Sequence, residues 1–305
     1  MKIAVVGAGG VGGYFGGAMV RAGHDVRMLA RGEHLKAIGS SGLEIREPGV
    51  SWTVRVLASD DAGELLPADL AIVAVKSYSL PEVAPVARRL AEGGAIVVPL
   101  LNGVEAFESL REQGVPAERM LAGLTVISAE KTAPGVVTRK SDFRRVVVGE
   151  RGGGVSERAE RVAAVFRDAG AEARVSEDIA VDLWRKFLFL TTLAAACGLA
   201  RAPIGGVREA PLGPELLERA GREIAAVARA RGVALPAGEE DKVLQTMVGL
   251  PADLKPSFLL DLERGGPNEL DILSGAVSRY GRSCGVPTPV HDTAVAALSA
   301  VARSG

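Results

Sequence analysis

Two stretches of this chain hold residues whose types and spacing could do chemistry. The first is Gly7-Ala8-Gly9-Gly10-Val11-Gly12, a match to GxGxxG. In that pattern one glycine permits a tight turn, one lets a pyrophosphate approach the backbone, and one lets a helix pack closely on a strand. The second is Trp184-Arg185-Lys186-Phe187-Leu188-Phe189-Leu190, which sets a lysine at the edge of a long apolar run. An ammonium in partly apolar surroundings loses hydration, and its pKa falls toward neutrality. Such a lysine can give a proton to a developing alkoxide, which a guanidinium cannot do in this range. By pattern alone Lys186 also fits a snorkelling side chain, or a partner for Asp182 one turn earlier.

The elements around these residues give them a setting. Ile3–Val6 is a short β-branched run that fits a buried parallel strand. Tyr14–Ala22 reads as a helix ending at Gly23, and His24–Leu29 as a second strand. Strand, glycine turn, helix and strand in that order point to dinucleotide binding, with the helix N-terminus turned toward the phosphates. The second strand has no acid at its tip; it runs Leu29-Ala30-Arg31, and Arg31 suits a ribose 2′-phosphate, so NADPH is expected over NADH. Asp69–Val75 reads as a buried strand ending in Lys76, and Ala95–Leu101 as another ending in Asn102-Gly103. Residues at the carboxyl ends of parallel strands face the ligand crevice of an open α/β sheet. Lys76 is therefore a candidate for the cofactor. Asn102 is equally a hydrogen-bonding group for substrate or nicotinamide ribose and half of an ordinary Asn-Gly turn. Strands are expected at 123–129, 135–138, 145–149 and 173–175, with a helix over 156–169.

From about Asp178 the alternation stops. Helices are expected over 178–199, 214–231, 237–248, 257–264, 269–284 and 289–303. A Rossmann-type parallel-sheet domain over 1–177 and a helical substrate domain over 178–305 follow, a plan whose ligand sites lie between domains. Near the C-terminus Asn268 fits an N-cap, with Glu269 and Asp271 in the first turn where acids favour the helix dipole. Capping alone accounts for all three.

Composition removes several classes. Basic residues number 36 against 37 acidic ones, a balance unlike that of a nucleic-acid binder. Aromatics are 4%, too few for base-stacking platforms. Of the basic residues eight are lysine, and Asn102 and Asn268 are the two asparagines, so the positions that keep these types carry weight. Cys197 and Cys284 form no ligand pattern, and His24, His34 and His291 form no i,i+4 pair, so no metal is expected. Ile3–Val6 runs directly into glycines, unlike a signal peptide, and the apolar stretch 187–200 is short for a bilayer. A cytoplasmic protein is expected, with no membrane partner and a homodimer as a candidate assembly.

Taken together, the chain resembles the ketopantoate reductase (2-dehydropantoate 2-reductase) family along essentially its whole length. The N-terminal GAGGVG, Arg31, the strand-end VAVK, the LLNG, the WRKF and a C-terminal Ser-x3-Asp-x7-Glu-x-Asp carry it, the last as Ser257, Asp261, Glu269 and Asp271. The resemblance implies NADPH-dependent reduction of ketopantoate to pantoate, on the way to pantothenate and coenzyme A. It implies that Lys186 is the general acid and that Glu269 orients it or binds the substrate hydroxyl. Asn102 would hold substrate or cofactor, Ser257 would contact the substrate carboxylate, and Lys76 and Arg31 would serve the NADPH end. One departure stands out. Where many members carry asparagines one and two turns after the lysine, this chain has Leu190 and Ala194. Either other groups hold the substrate, or the substrate is another 2-oxo acid or an opine-type compound. A function of a different class, an NADP-binding sensor without turnover, is the remaining alternative.

Overall fold

The computed structural model describes residues 1–302. The chain divides into two compact units, Met1–Ile179 and the segment from Ala180 onward.

The first unit begins with β1 (Lys2–Val6), α1 (Gly10–Arg21), β2 (Asp25–Leu29), α2 (Gly32–Ser41), β3 (Leu43–Glu47), β4 (Val50–Val54), β5 (Leu57–Ser59), β6 (Leu70–Val73), α3 (Leu80–Glu92) and β7 (Ile96–Pro99). Five of these strands pair in parallel in the order β5-β2-β1-β6-β7. Counting only those five, the order is 3-2-1-4-5, that of a doubly wound nucleotide-binding sheet. The central strands are buried on both faces, which is why Ile3–Val6 and Leu70–Val73 are apolar without alternation.

The unit continues with α4 (Ala106–Glu112), β8 (Ala122–Val126), β9 (Ala129–Ala133), β10 (Val136–Arg139), β11 (Arg145–Gly149), α5 (Glu157–Asp168) and β12 (Glu172–Val175). Strands β12, β11 and β8 form a second sheet. One parallel bridge between Val97 and Met120 joins it to the edge of the first. The expected helix over 156–169 is α5, with Ser156 as its N-cap: the hydroxyl accepts from the Ala159 N–H at 3.2 Å.

A third sheet is ordered β4-β3-β10-β9; the expected strand 135–138 is its β10, and β3, β4 and β9 are additional. The expected strand 123–129 is β8, which ends at Val126; after a break at Ile127-Ser128, Ala129 opens β9 of the third sheet. This third sheet explains why α1 is so rich in glycine. A Cβ on Gly10 would collide with the Ala129 carbonyl of β9, one on Gly13 would lie 2.8 Å from Val137 of β10, and one on Gly17 would crowd Ile45 of β3. On the opposite side Gly12 and Gly16 meet Val5, and Gly16 also meets Met28. Helix α1 is thus clasped between two sheets at backbone distance. A half-buried carboxylate locks the clasp: Glu47 of β3 accepts from Tyr14 of α1 at 2.7 Å, from Arg139 of β10 at 2.9 Å and from Trp52 of β4 at 3.1 Å.

The second unit is helical: α6 (Ile179–Ala200), α7 (Ile204–Glu209), α8 (Gly213–Ala230), α9 (Glu239–Val248), α10 (Ser257–Glu263), α11 (Ala276–Cys284) and α12 (Pro289–Ala302). Helix α7 is additional to the expected set. The helix expected over 269–284 opens instead with a π-turn at Asp271–Gly275, and Arg303, the expected end of the last helix, lies outside the described residues. Leu193, Ala196 and Cys197 of α6 pack with Ile204, Val207, Leu217, Met247 and Leu259. The apolar stretch 187–200 is part of this 22-residue α6, which is long and apolar enough to cross a membrane by length and composition. Of its most apolar window 61% is buried inside the protein, as in a core helix.

Candidate active site

The glycine turn follows β1, and each glycine of the motif has a distinct local reason. Gly7 has φ +104°, and a Cβ there would stand 2.6 Å from Val75 and 2.8 Å from the Ala74 carbonyl. Only glycine makes that turn without strain. A Cβ on Gly12 would strike the Gly7 carbonyl, so the helix sits directly on the strand end. A Cβ on Gly9 meets nothing within 4 Å. Gly9 is also the N-cap of α1, with no side chain capping it. The turn therefore presents bare backbone and a positive helix end to open space, which fits the pyrophosphate of a dinucleotide.

The strand register draws further groups to this edge. Val6 pairs with Leu29 and with Val73, and Val73 pairs with Pro99, so four strands end level. The expected strands 69–75 and 95–101 are shorter than their apolar runs. Lys76 and Asn102 consequently stand on the loops three residues past Val73 and Pro99, not at the strand tips. Lys76 is half-buried and N-caps a short 3₁₀ turn, Ser77–Ser79. Asn102 is half-buried, and Gly103 after it has φ +87°, so the Asn-Gly turn is real. Arg31 follows β2 as the N-cap residue of α2, and its guanidinium donates to the Glu82 carboxylate in the first turn of α3. Both side chains are more than half exposed, at 56% and 58%.

Sequence reasoning passed over one residue here. His34 of α2 is buried, and its ring spans the Ala8 carbonyl at 2.8 Å and the Gly135 N–H at 2.9 Å. Its signal is a histidine on the first turn of the helix that follows Arg31, a position that looks solvated until the third sheet is known.

In the second unit WRKF divides its tasks. Trp184 and Phe187 are buried edge-to-face at 5.3 Å, and Trp184 also meets Tyr280 at 6.1 Å. Arg185 is exposed, and its Nε donates to Glu239 at 2.8 Å. Lys186 is left half-buried beside this aromatic anchor. Burial pushes its pKa down to about 8, and the Glu269 carboxylate opposes that by favouring the ammonium.

The C-terminal cluster sorts by position. Asn268 is a structural cap: its side-chain oxygen accepts from the Leu270 N–H at 3.0 Å. Asp271 is a surface group, 2.6 Å from Arg279. Glu269, 4% exposed, lies just before the π-turn and is the carboxylate whose charge acts on Lys186. Capping thus accounts for Asn268, while Glu269 is buried and its charge is felt by Lys186. Ser257 opens α10 and is exposed, and Asp261 is 3.9 Å from Arg264. One and two turns after Lys186, Leu190 is half-buried and Ala194 buried. Thr191 and Thr192 beside them are fully buried, and their hydroxyls have no hydrogen-bond partner.

A 3-2-1-4-5 parallel sheet with this glycine turn, followed by a helical unit bearing a lysine tuned toward neutral pH, defines a dinucleotide-dependent oxidoreductase of the two-unit kind. Family models agree: that for ketopantoate reductase PanE/ApbA matches residues 3–153 and that for its C-terminal part matches residues 178–302. The chain belongs to the ketopantoate reductase family of NAD(P)-dependent oxidoreductases. It is 32% identical to a 2-dehydropantoate 2-reductase of Halobacterium salinarum over 100% of both chains. It is 31% identical to an uncharacterized oxidoreductase, YkpB, of Bacillus subtilis over 98% of both. Among solved structures, a ketopantoate reductase of Ralstonia eutropha superposes with a TM-score of 0.91 at 29% identity, over 100% of this chain and 99% of that one. A D-mandelate dehydrogenase in complex with NADH superposes with a TM-score of 0.87 at 25% identity, over 100% and 99%.

Proposed function

We propose that this protein reduces ketopantoate to pantoate with NADPH, in the cytoplasm, as a step of pantothenate and coenzyme A biosynthesis. The observation that carries the reading is the pairing of Lys186, held at about 8, with buried Glu269. Residues 1–177 act as the cofactor domain and 178–305 as the substrate domain. In the first, Gly7, Ala8, Gly9, Gly10, Val11 and Gly12 cradle the pyrophosphate, Arg31 receives the 2′-phosphate in exchange for Glu82, and Lys76 and Asn102 serve the cofactor from the neighbouring loops. The nicotinamide, when bound, would supply the hydride, two electrons and one hydrogen, that reduces the C2 carbonyl. Lys186 gives its Nζ proton to the oxygen as negative charge builds there. Glu269 keeps the ammonium charged and in place, or binds the substrate hydroxyl. Ser257 contacts the substrate carboxylate.

The pH dependence follows from the role of the lysine. Only the ammonium can donate, so kcat should fall as pH rises through about 8. Removing the opposing carboxylate with Glu269→Gln should lower the lysine pKa further and move that falling limb to lower pH. A lower melting temperature with the limb unmoved would assign Glu269 to capping alone.

A second reading has its own observation. Leu190 and Ala194 make the helix beyond Lys186 apolar where a hydroxylated substrate calls for polar groups. The likeness to D-mandelate dehydrogenase favours, on this reading, a 2-oxo acid with a larger apolar group. Initial rates of NADPH oxidation on ketopantoate and on phenyl- and alkyl-bearing 2-oxo acids separate the two. Comparable kcat/KM with NADH would overturn the choice of cofactor.

A further inference from the structure

We infer that His34 is a positioning residue for the cofactor's phosphate turn, aiming the Gly9 N–H through the Ala8 carbonyl. The inference rests on the dinucleotide reading of that turn and adds to it a residue outside the glycine motif.

The ring's hydrogen bonds fix its tautomer. The Gly135 backbone N–H can only donate, so Nδ1, 2.9 Å away, must accept. Burial holds the ring below the ordinary histidine pKa, which keeps it neutral at pH 7. The single ring hydrogen is then on Nε2 and is donated to the Ala8 carbonyl at 2.8 Å. The Ala8–Gly9 peptide is planar and trans, so holding its carbonyl oxygen turns the Gly9 N–H the opposite way. Gly9 is the motif position beside which space is open. The Ala8 N–H is itself fixed, donating to the Leu29 carbonyl at 3.2 Å. The two successive peptides before the helix are therefore held, Gly7–Ala8 by β2 and Ala8–Gly9 by His34.

The second hydrogen bond links this hold to the third sheet. Gly135 is the turn between β9 and β10, and its own carbonyl accepts from Glu44 of β3 at 2.8 Å. The other end of β9 presses on the same turn, where Ala129 excludes any side chain at Gly10. The hairpin thus braces the phosphate turn at two points, and His34 is the one that works through hydrogen bonds.

The test separates the two bonds. His34→Gln places an amide nitrogen near the Nε2 position and keeps a donor for Ala8. His34→Asn places an amide oxygen near Nδ1 and keeps an acceptor for Gly135. The Kd of NADP⁺, or of NAD⁺ if the wild type binds it more tightly, is measured by calorimetry together with the melting temperature. His34→Asn should weaken binding by about tenfold, as losing one hydrogen bond that orders the site implies, and His34→Gln should restore most of it. Equal affinity in wild type and both variants, with only the melting temperature lowered, would overturn the positioning role and leave the dinucleotide reading standing. A wild type that binds neither dinucleotide would overturn both. ¹⁵N NMR of the histidine-labelled wild type needs no variant. An Nε2–H tautomer whose signals move on adding NADP⁺ is expected; an Nδ1–H tautomer, or no movement, would contradict the inference.

Discussion

The proposed chemistry turns on Lys186, and its surroundings are selective. Trp184 and Phe187 anchor the helix beside it, Arg185 is drawn off to Glu239, and Glu269 faces it from a separate segment. Replacing Lys186 by alanine should lower kcat by about 10²–10⁴. Lys186→Arg should not rescue it, since the charge returns without a releasable proton. A stopped-flow trace of NADPH oxidation measures both. Arg31→Ala should raise the KM for NADPH while sparing that for NADH, because only the former carries the 2′-phosphate. An equal rise for both would show that Arg31 does not read that group. Lys186 stood out in the sequence because lysine is scarce and it edges an apolar run, and Arg31 because no acid closes the second strand. What did not stand out was which of Asn268, Glu269 and Asp271 does what. All three share a capping pattern, and only their burial and partners separate them.

At the scale of elements, the glycine-rich helix holds two kinds of glycine that look alike in sequence. Gly9 faces open space, whereas Gly10 and Gly13 face the third sheet. Gly13→Ala should cost about 1–3 kcal/mol of stability through overpacking against Val137 and Ala8. Gly9→Ala should leave the melting temperature unchanged and weaken dinucleotide binding. Thermal unfolding with and without NADP⁺ checks both, and a stable Gly13→Ala would mean that the clasp around α1 yields. The β1–α1–β2 unit was legible because strand, glycine turn and helix are contiguous in the chain. Of the third sheet β10 alone was legible, as the run 135–138, although Leu43–Glu47 and Val50–Val54 alternate about Pro48-Gly49 as a hairpin should. Its other half, β9 and β10, arrives some eighty residues later, and pairing at that separation leaves no local pattern. The π-turn before α11 was equally hidden, since an extra residue in a helical turn leaves its apolar spacing nearly intact.

For the whole molecule, the change from alternating strands and helices to helices alone marks the second unit, and the apolar content of α6 reflects its place in that unit's core. The family relation rests on both halves of the chain, each matched by its own model. Substrate identity is the feature least written in the sequence, since the resemblance carries asparagines one and two turns after the lysine where this chain has Leu190 and Ala194. The most direct measurement is the initial rate of NADPH oxidation by the wild type and by Lys186→Ala on ketopantoate and a panel of other 2-oxo acids. Ketopantoate is expected to give the highest kcat/KM, and the variant to lose the activity. A wild type that turns over none of these acids, or a Lys186→Ala variant that keeps near-normal kcat, would contradict it.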